Sequence, residues 1–140
     1  MRLYLAGAMS GVTWEEATGW RDNVISHYIA KSNEGELNVD LEIFNPCSYV
    51  VDGEVSSERE DMDFDLYKLR RSDFVICNWN GDSIGTAIEI GVAKEHNIPI
   101  VVYAEDIDRL SKIHPWVKHS AIKVFDNLED LLVYVDKYFL

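Results

Sequence analysis

The chain has 140 residues, 47% of them apolar, and a formal net charge of −12. That size fits one domain over residues 1–140, with a core that needs no disulfide or metal staple. The charge argues against duplex nucleic acid or another polymeric polyanion as partner, but leaves a small ligand open, because a local pocket can differ from the average.

No apolar run approaches a membrane span, and the opening MRLYLAGAMSG breaks at glycine too early for a signal peptide. Cys47 and Cys77 form no CxxC and lie far apart, so the expectation is reduced thiols, a cytoplasmic location and no membrane partner.

RLYLA at 2–6 reads as a first strand, stopped at Gly7. Thr13 with Glu16 three residues later makes a capping box, opening a helix with Trp14, Ala17, Val24 and Tyr28 on one face. LEIFN at 41–45 is a second strand ended by Pro46. A helix over about 58–71 turns Met62, Leu66 and Leu69 inward. DFVICN at 73–78 is a third strand, and its continuous hydrophobicity predicts cover on both faces. Next comes a helix of small and apolar residues, Ile84, Ala87, Ile88, Ile90, Val92 and Ala93, patterned for burial with Glu89 inside it. IPIVVY at 98–103, a short helical stretch, AIKVF at 121–125 and a final helix from about Leu128 complete the chain.

Strand–helix alternation of this kind predicts an α/β fold, a flavodoxin-like doubly wound sheet of five parallel strands in the order 2-1-3-4-5 with helices on both faces. Ligands in such sheets bind beyond the carboxyl ends of the strands, at the switch point between strands 1 and 3. The loops at 7–13, 45–50 and 78–86 lie there.

The third of these loops has no GxGxxG and no Gly-Lys-Ser/Thr, which excludes the dinucleotide fingerprint and the P-loop. Gly81 begins its glycine-containing part, while Gly85 and Thr86 place backbone N–H groups and a hydroxyl at a helix N-terminus. That end suits an anionic or hydroxyl-rich ligand, and equally suits an ordinary capped helix. Glu89 falls on the side of Gly85 and Thr86 by i, i+4 and i, i+3 spacing, so its carboxylate leans toward the loop. The helix dipole would favour its ionised form, as a nucleophile requires. A solvent-facing glutamate at the edge of an amphipathic helix has the same spacing.

Asp61, Asp63 and Asp65 fail as a calcium loop, because Leu66 stands where glycine is needed. Solvated helix surface accounts for two of them, and one can stand as a second carboxylate opposite Glu89. The four histidines show no ligand spacing, so no metal is expected. Trp79 is placed to stack on a planar base, or to be a half-buried loop aromatic.

Together YLAG at 4–7, FNP at 44–46, DLYKLRRSDFVI at 65–76 and SIGTAIEIGVA at 83–93 resemble the nucleoside 2-deoxyribosyltransferase family, including its relatives that hydrolyse deoxynucleoside 5'-monophosphates. The resemblance runs from Leu3 to about Tyr103. A bare GTxxE is less specific, since phosphoribohydrolase-like proteins carry one.

The resemblance implies cleavage of the N-glycosidic bond of a 2'-deoxynucleoside or deoxynucleotide, with no cofactor. It places Glu89 as the nucleophile, Asp65 as the proton-transfer partner of the leaving base and Tyr4 as the residue orienting Glu89. Gly7, Ser10, Asn45, Trp79, Ser83, Gly85 and Thr86 are its expected substrate-binding positions. It further implies a homodimer or larger homo-oligomer with shared sites, for which the C-terminal aromatics Tyr134, Tyr138 and Phe139 are candidates, with packing inside their own subunit as the alternative use.

Two departures divide the readings. Ser83 stands where transferases carry an aspartate and the monophosphate hydrolases a serine. Ala8 and Ser10 replace the serine and arginine with which those hydrolases hold phosphate, and losing a bidentate arginine favours the transferase. Transfer of deoxyribose between bases is therefore the expected activity, with monophosphate hydrolysis and a catalytically inactive nucleotide-binding protein as the alternatives.

Overall fold

The computed structural model describes residues 1–50, 58–80, 82–105 and 107–140. Its strands are β1 (Arg2–Gly7), β2 (Glu42–Phe44), β3 (Phe74–Asn78), β4 (Ile100–Tyr103) and β5 (Lys123–Phe125). They pair in parallel in the order β2-β1-β3-β4-β5, the predicted topology. Parallel pairing needs crossovers, and helices α1 (Trp14–Asn33), α2 (Glu58–Leu69), α3 (Ile84–Glu95), α4 (Ile107–Ser111) and α5 (Pro115–Ser120) lie in them, while α6 (Leu128–Tyr138) follows the last strand.

Side-chain alternation splits the core between two layers. Leu3 and Leu5 of β1, with Phe74 and Ile76 of β3, pack against Trp20, Val24 and Tyr28 of α1 and Leu131, Leu132 and Val135 of α6. Tyr4, Ala6, Val75 and Cys77 point the other way, toward Leu69 of α2, Ile90 and Ala93 of α3, and Val117 of α5. β3 is buried along its whole length, as its uninterrupted hydrophobicity predicts. The Thr13 cap is present, its hydroxyl accepting from the Glu16 N–H at 3.1 Å. No helix among the described residues is long and apolar enough to cross a membrane.

Three expectations need correction. Met62 is 47% exposed rather than inward, and Ile84 and Ile88 of α3 are 80% and 46% exposed. All three side chains line an open cleft instead of packing on the sheet. The apolar pattern of α3 is thus buried only at Ile90 and Ala93, with Thr86 beside them. Of the C-terminal aromatics, Phe139 stacks on Phe74 at 4.9 Å and Tyr134 packs on Phe125 at 5.5 Å, within the same subunit. Only Tyr138 of the three is largely exposed.

Leu5, fully buried on β1, and Val133, 68% exposed on α6, separate core from surface. Leu5→Ala should lower stability by about 2–5 kcal/mol and Val133→Ala by less than about 0.5 kcal/mol, read from urea unfolding midpoints.

Candidate active site

The alternation of β1 places Tyr4 on the face covered by α3, where Glu89 stands little more than a turn into the helix. The fully buried Tyr4 hydroxyl donates to Glu89 Oε1 at 2.7 Å. Asp65, from α2, lines the same cleft as Glu89 and accepts a hydrogen bond from the Tyr49 hydroxyl. Each carboxylate is thus held by one phenol. Tyr49 belongs to a 3-10 turn (Pro46–Tyr49), and its ring packs against Phe44 and Phe64.

The cleft has a volume of about 560 Å³. Of the ten residues expected at the site, it is lined by Gly7, Ser10, Asp65, Ser83, Gly85, Thr86 and Glu89, and Tyr4 reaches it through Glu89. Ser83 caps α3, its Oγ accepting from the Thr86 N–H at 3.2 Å. The Thr86 hydroxyl is buried without a hydrogen-bond partner among the described residues, a group that a ligand can satisfy. Gly7 is required by packing, because a Cβ there would lie 2.9 Å from the Trp20 ring and 3.2 Å from the Asn78 carbonyl oxygen. Gly81 lies outside the described residues.

Two expected residues fall elsewhere. Asn45 spends its side-chain oxygen on the Cys47 N–H at 2.9 Å, capping the 3-10 turn. Trp79 is only 6% exposed rather than a loop aromatic facing the site. Its N–H donates to the Tyr103 carbonyl at 2.8 Å, which continues the strand pairing and turns the ring into the core. It lines a larger cleft of about 840 Å³ between α3 and α5, which contains neither Glu89 nor Asp65. Size alone would select that larger cleft, but the buried carboxylates select the smaller one.

Burial raises the Glu89 carboxyl to about 7. The Tyr4 hydrogen bond lowers it, the Asp65 charge adds to the rise, and Arg21 opposes it. Asp65 is raised to about 6, again chiefly by burial, with the Tyr49 hydrogen bond pulling down, Asp61 pushing up and Arg21 pulling down. The helix dipole predicts an ionised Glu89; desolvation outweighs it here, because the carboxyl is enclosed between β1, α2 and α3. Glu89 nevertheless keeps a partly exposed surface toward the cleft. Burial drives the Tyr4 phenol upward, so it remains a donor.

Sequence reasoning missed Tyr49, whose partner lies 16 residues away on a separate element. It missed Asn80, whose side-chain oxygen accepts from the Ala8 N–H at 3.2 Å and ties the first loop to the third. It also missed Arg21, which is fully buried on α1. None of these has a spacing signal; only the fold brings them to the strand ends.

No protein-family model matches the sequence, and no curated protein is significantly similar to it. Solved structures do share its fold. A 2-deoxyribosyltransferase from Bacillus psychrosaccharolyticus superimposes with a TM-score of 0.63 at 17% identity, over 94% of this chain and 90% of that one. A 2-desoxiribosyltransferase from Leishmania mexicana gives 0.62 at 17% identity, over 99% of both chains. A CMP N-glycosidase of Clostridium botulinum gives 0.59 at 17% identity, over 99% of this chain and 100% of that one. The chain has the fold of these proteins from end to end, with two enclosed carboxylates at its switch point.

The raised Glu89 carboxyl has a consequence for stability. Its folded-state pKa of about 7 lies above the ordinary 4.5, so the folded chain holds this proton more tightly than the unfolded chain. The stabilisation is full below the ordinary value and is lost as pH rises through about 7. Glu89→Gln should therefore stabilise the protein at pH 8 by about 2 kcal/mol and leave it nearly unchanged at pH 4, read as Tm differences at the two pH values.

Proposed function

We propose that the chain cleaves the N-glycosidic bond of 2'-deoxynucleosides and transfers the deoxyribose to another base through a glycosyl-Glu89 intermediate. The single observation that carries this reading is the Tyr4–Glu89 hydrogen bond in a cleft that also holds Asp65. A carboxylate fixed by a donor at one oxygen keeps the other for attack. The fold shared with 2-deoxyribosyltransferases and a CMP N-glycosidase supports the same class of bond.

In the first step Glu89 attacks the anomeric carbon, and the carbon–nitrogen bond breaks with its electron pair going to the base. Asp65, protonated, gives its proton to the departing base. In the second step an incoming base attacks the same carbon, Glu89 leaves as carboxylate, and the proton returns to Asp65. Positive charge spreads over the sugar in both transition states, and a nearby carboxylate stabilises it. The chemistry requires no metal or organic cofactor. It requires Glu89 ionised while Asp65 keeps its proton, the opposite of the order that about 7 and about 6 give the two acids; the reacting form is thus the minor of the two singly protonated forms, and the rate should follow a bell with limbs near neutrality.

A second reading, hydrolysis of a deoxynucleoside 5'-monophosphate, is favoured by Ser83. Ser83 and Gly85 line the cleft at the N-terminus of α3, an end that suits an anion, although the Ser83 hydroxyl already accepts the Thr86 N–H. Hydrolysis shares the glycosyl intermediate and differs only in that water attacks it.

The reading extends to a homodimer or larger homo-oligomer. Met62 and Ile88 line the cleft yet are 47% and 46% exposed, and Ile84 beside them is 80% exposed, which leaves the cleft's apolar rim for a second copy to cover. Light scattering at assay concentration should give at least twice the monomer mass; a fully active monomer removes this part of the proposal.

Two incubations test the activity. The protein with a deoxynucleoside and a different free base should yield a new deoxynucleoside. The protein with the monophosphate alone should yield little free base; deoxyribose 5-phosphate appearing only there would establish hydrolysis instead. Glu89→Ala should keep the fold and lose at least about a thousandfold in turnover. Asp65→Asn should slow bases that need protonation more than bases that leave without it. Tight nucleotide binding with no base release from any substrate would leave a binding protein.

A further inference from the structure

Arg21 is the largest fully buried side chain among the described residues, at 0% exposure. Buried guanidinium groups are normally paired with carboxylates, because the desolvation cost is otherwise uncompensated. Arg21 forms no ion pair among the described residues. One terminal nitrogen donates to the Gly7 carbonyl at 2.9 Å and the other to the Ala17 carbonyl, while the guanidinium lies 4.7 Å from the Trp20 ring centre. Its Nε–H has no hydrogen-bond partner among the described residues. Gly7 is also a wall of the cleft that contains Glu89 and Asp65. A neutral donor would serve to hold a carbonyl, so the unpaired charge calls for a separate reason.

We propose that Arg21 is a positioning residue of the candidate active site, a buried cation that fixes the Gly7 wall and whose charge faces the Glu89 and Asp65 carboxylates across it. This rests on the reading of those two carboxylates as the reacting pair. The titratable groups around the pair among the described residues are Tyr4 from β1, Cys77 from β3, Tyr49 and Cys47 from the 3-10 turn, Asp61 and Glu58 from α2, and Asp82 just before α3. Asp22 on α1 adds a further acidic neighbour on the Cys47 side. Among these Arg21 is the cation, and it acts on both carboxylates in the same sense, favouring the charged form of each. Two acids enclosed together raise one another, so a shared cation lets one of them ionise near neutral pH.

Removing the charge should raise both carboxyls and carry the whole pH–rate bell upward. Arg21→Met, an apolar replacement of similar length, should move both limbs to higher pH by about half a unit or more and cost several-fold in turnover at pH 6, with a smaller loss at pH 8. Arg21→Lys keeps the charge and loses the two-pronged grip, so it should lower turnover with the limbs left in place. A purely structural role would lower turnover or stability in both variants without moving either limb.

The decisive measurement needs no turnover. Carbon NMR of the Glu89 and Asp65 carboxyls, followed from pH 4 to 9, should give midpoints higher in Arg21→Met than in wild type and Arg21→Lys. In the wild-type protein the Arg21 Nε–H resonance should shift with those same midpoints, which keeps the test open where Arg21→Met does not fold. Unchanged carboxyl midpoints in a folded Arg21→Met, or an Nε–H resonance silent across the range, would overturn the proposal. Loss of the transferase reading shows instead as absent base release with the NMR coupling intact.

Discussion

Burial of β1 on both faces is the constraint from which the rest follows. Leu3 and Leu5 commit one face to α1 and α6, and Tyr4 and Ala6 commit the other to α2 and α3. A strand held this way has no freedom to slip, since a shift by one residue would exchange the two sets. Its carboxyl end, between β2 and β3, is then the switch point, and Gly7 becomes the floor on which Trp20, Asn78 and Arg21 converge. The phenol of Tyr4 is carried to Glu89 by the same alternation that builds the core. The site is a by-product of how the strand must pack.

Electrostatics at that floor run against folding. Two carboxylates with raised pKa values, a buried unpaired cation and an orphaned Thr86 hydroxyl all lie within one end of the sheet. Each would be removed if stability alone were served, because unpaired buried polar groups cost free energy. Their concentration at the topological switch point makes that cleft the candidate functional end of the molecule. The larger cleft between α3 and α5 has more room but lacks this buried acid pair.

Much of the fold was legible in the sequence because its signals are local. The runs around 2–6, 73–78 and 98–103 are continuous apolar segments broken by glycine, asparagine or proline, and such runs have few other uses than a doubly covered parallel strand. The Thr13 and Ser83 caps act over three residues and appear where the pattern places helix starts. The grouping of Tyr4, Asp65 and Glu89 was legible for a different reason: a resemblance carried by short motifs, not any periodicity. Helix patterns failed near the beginnings of α2 and α3, where Met62, Ile84 and Ile88 line the open cleft. Periodicity reports which residues share a face, and is silent on whether anything lies under it.

The chain's own order of residues therefore determined the strand sequence and the helix caps, which rest on neighbours within a few residues. Tertiary structure alone decided that Tyr49 would hold Asp65, that Asn80 would tie the first loop to the third, and that Arg21 would end beneath Gly7. It also decided that Trp79 would turn into the core and that Phe139 would stack on Phe74. Those contacts join residues on separate elements, and so does the enclosure that lifts Glu89 to about 7. Desolvation depends on everything packed around a group, a quantity no stretch of sequence contains by itself.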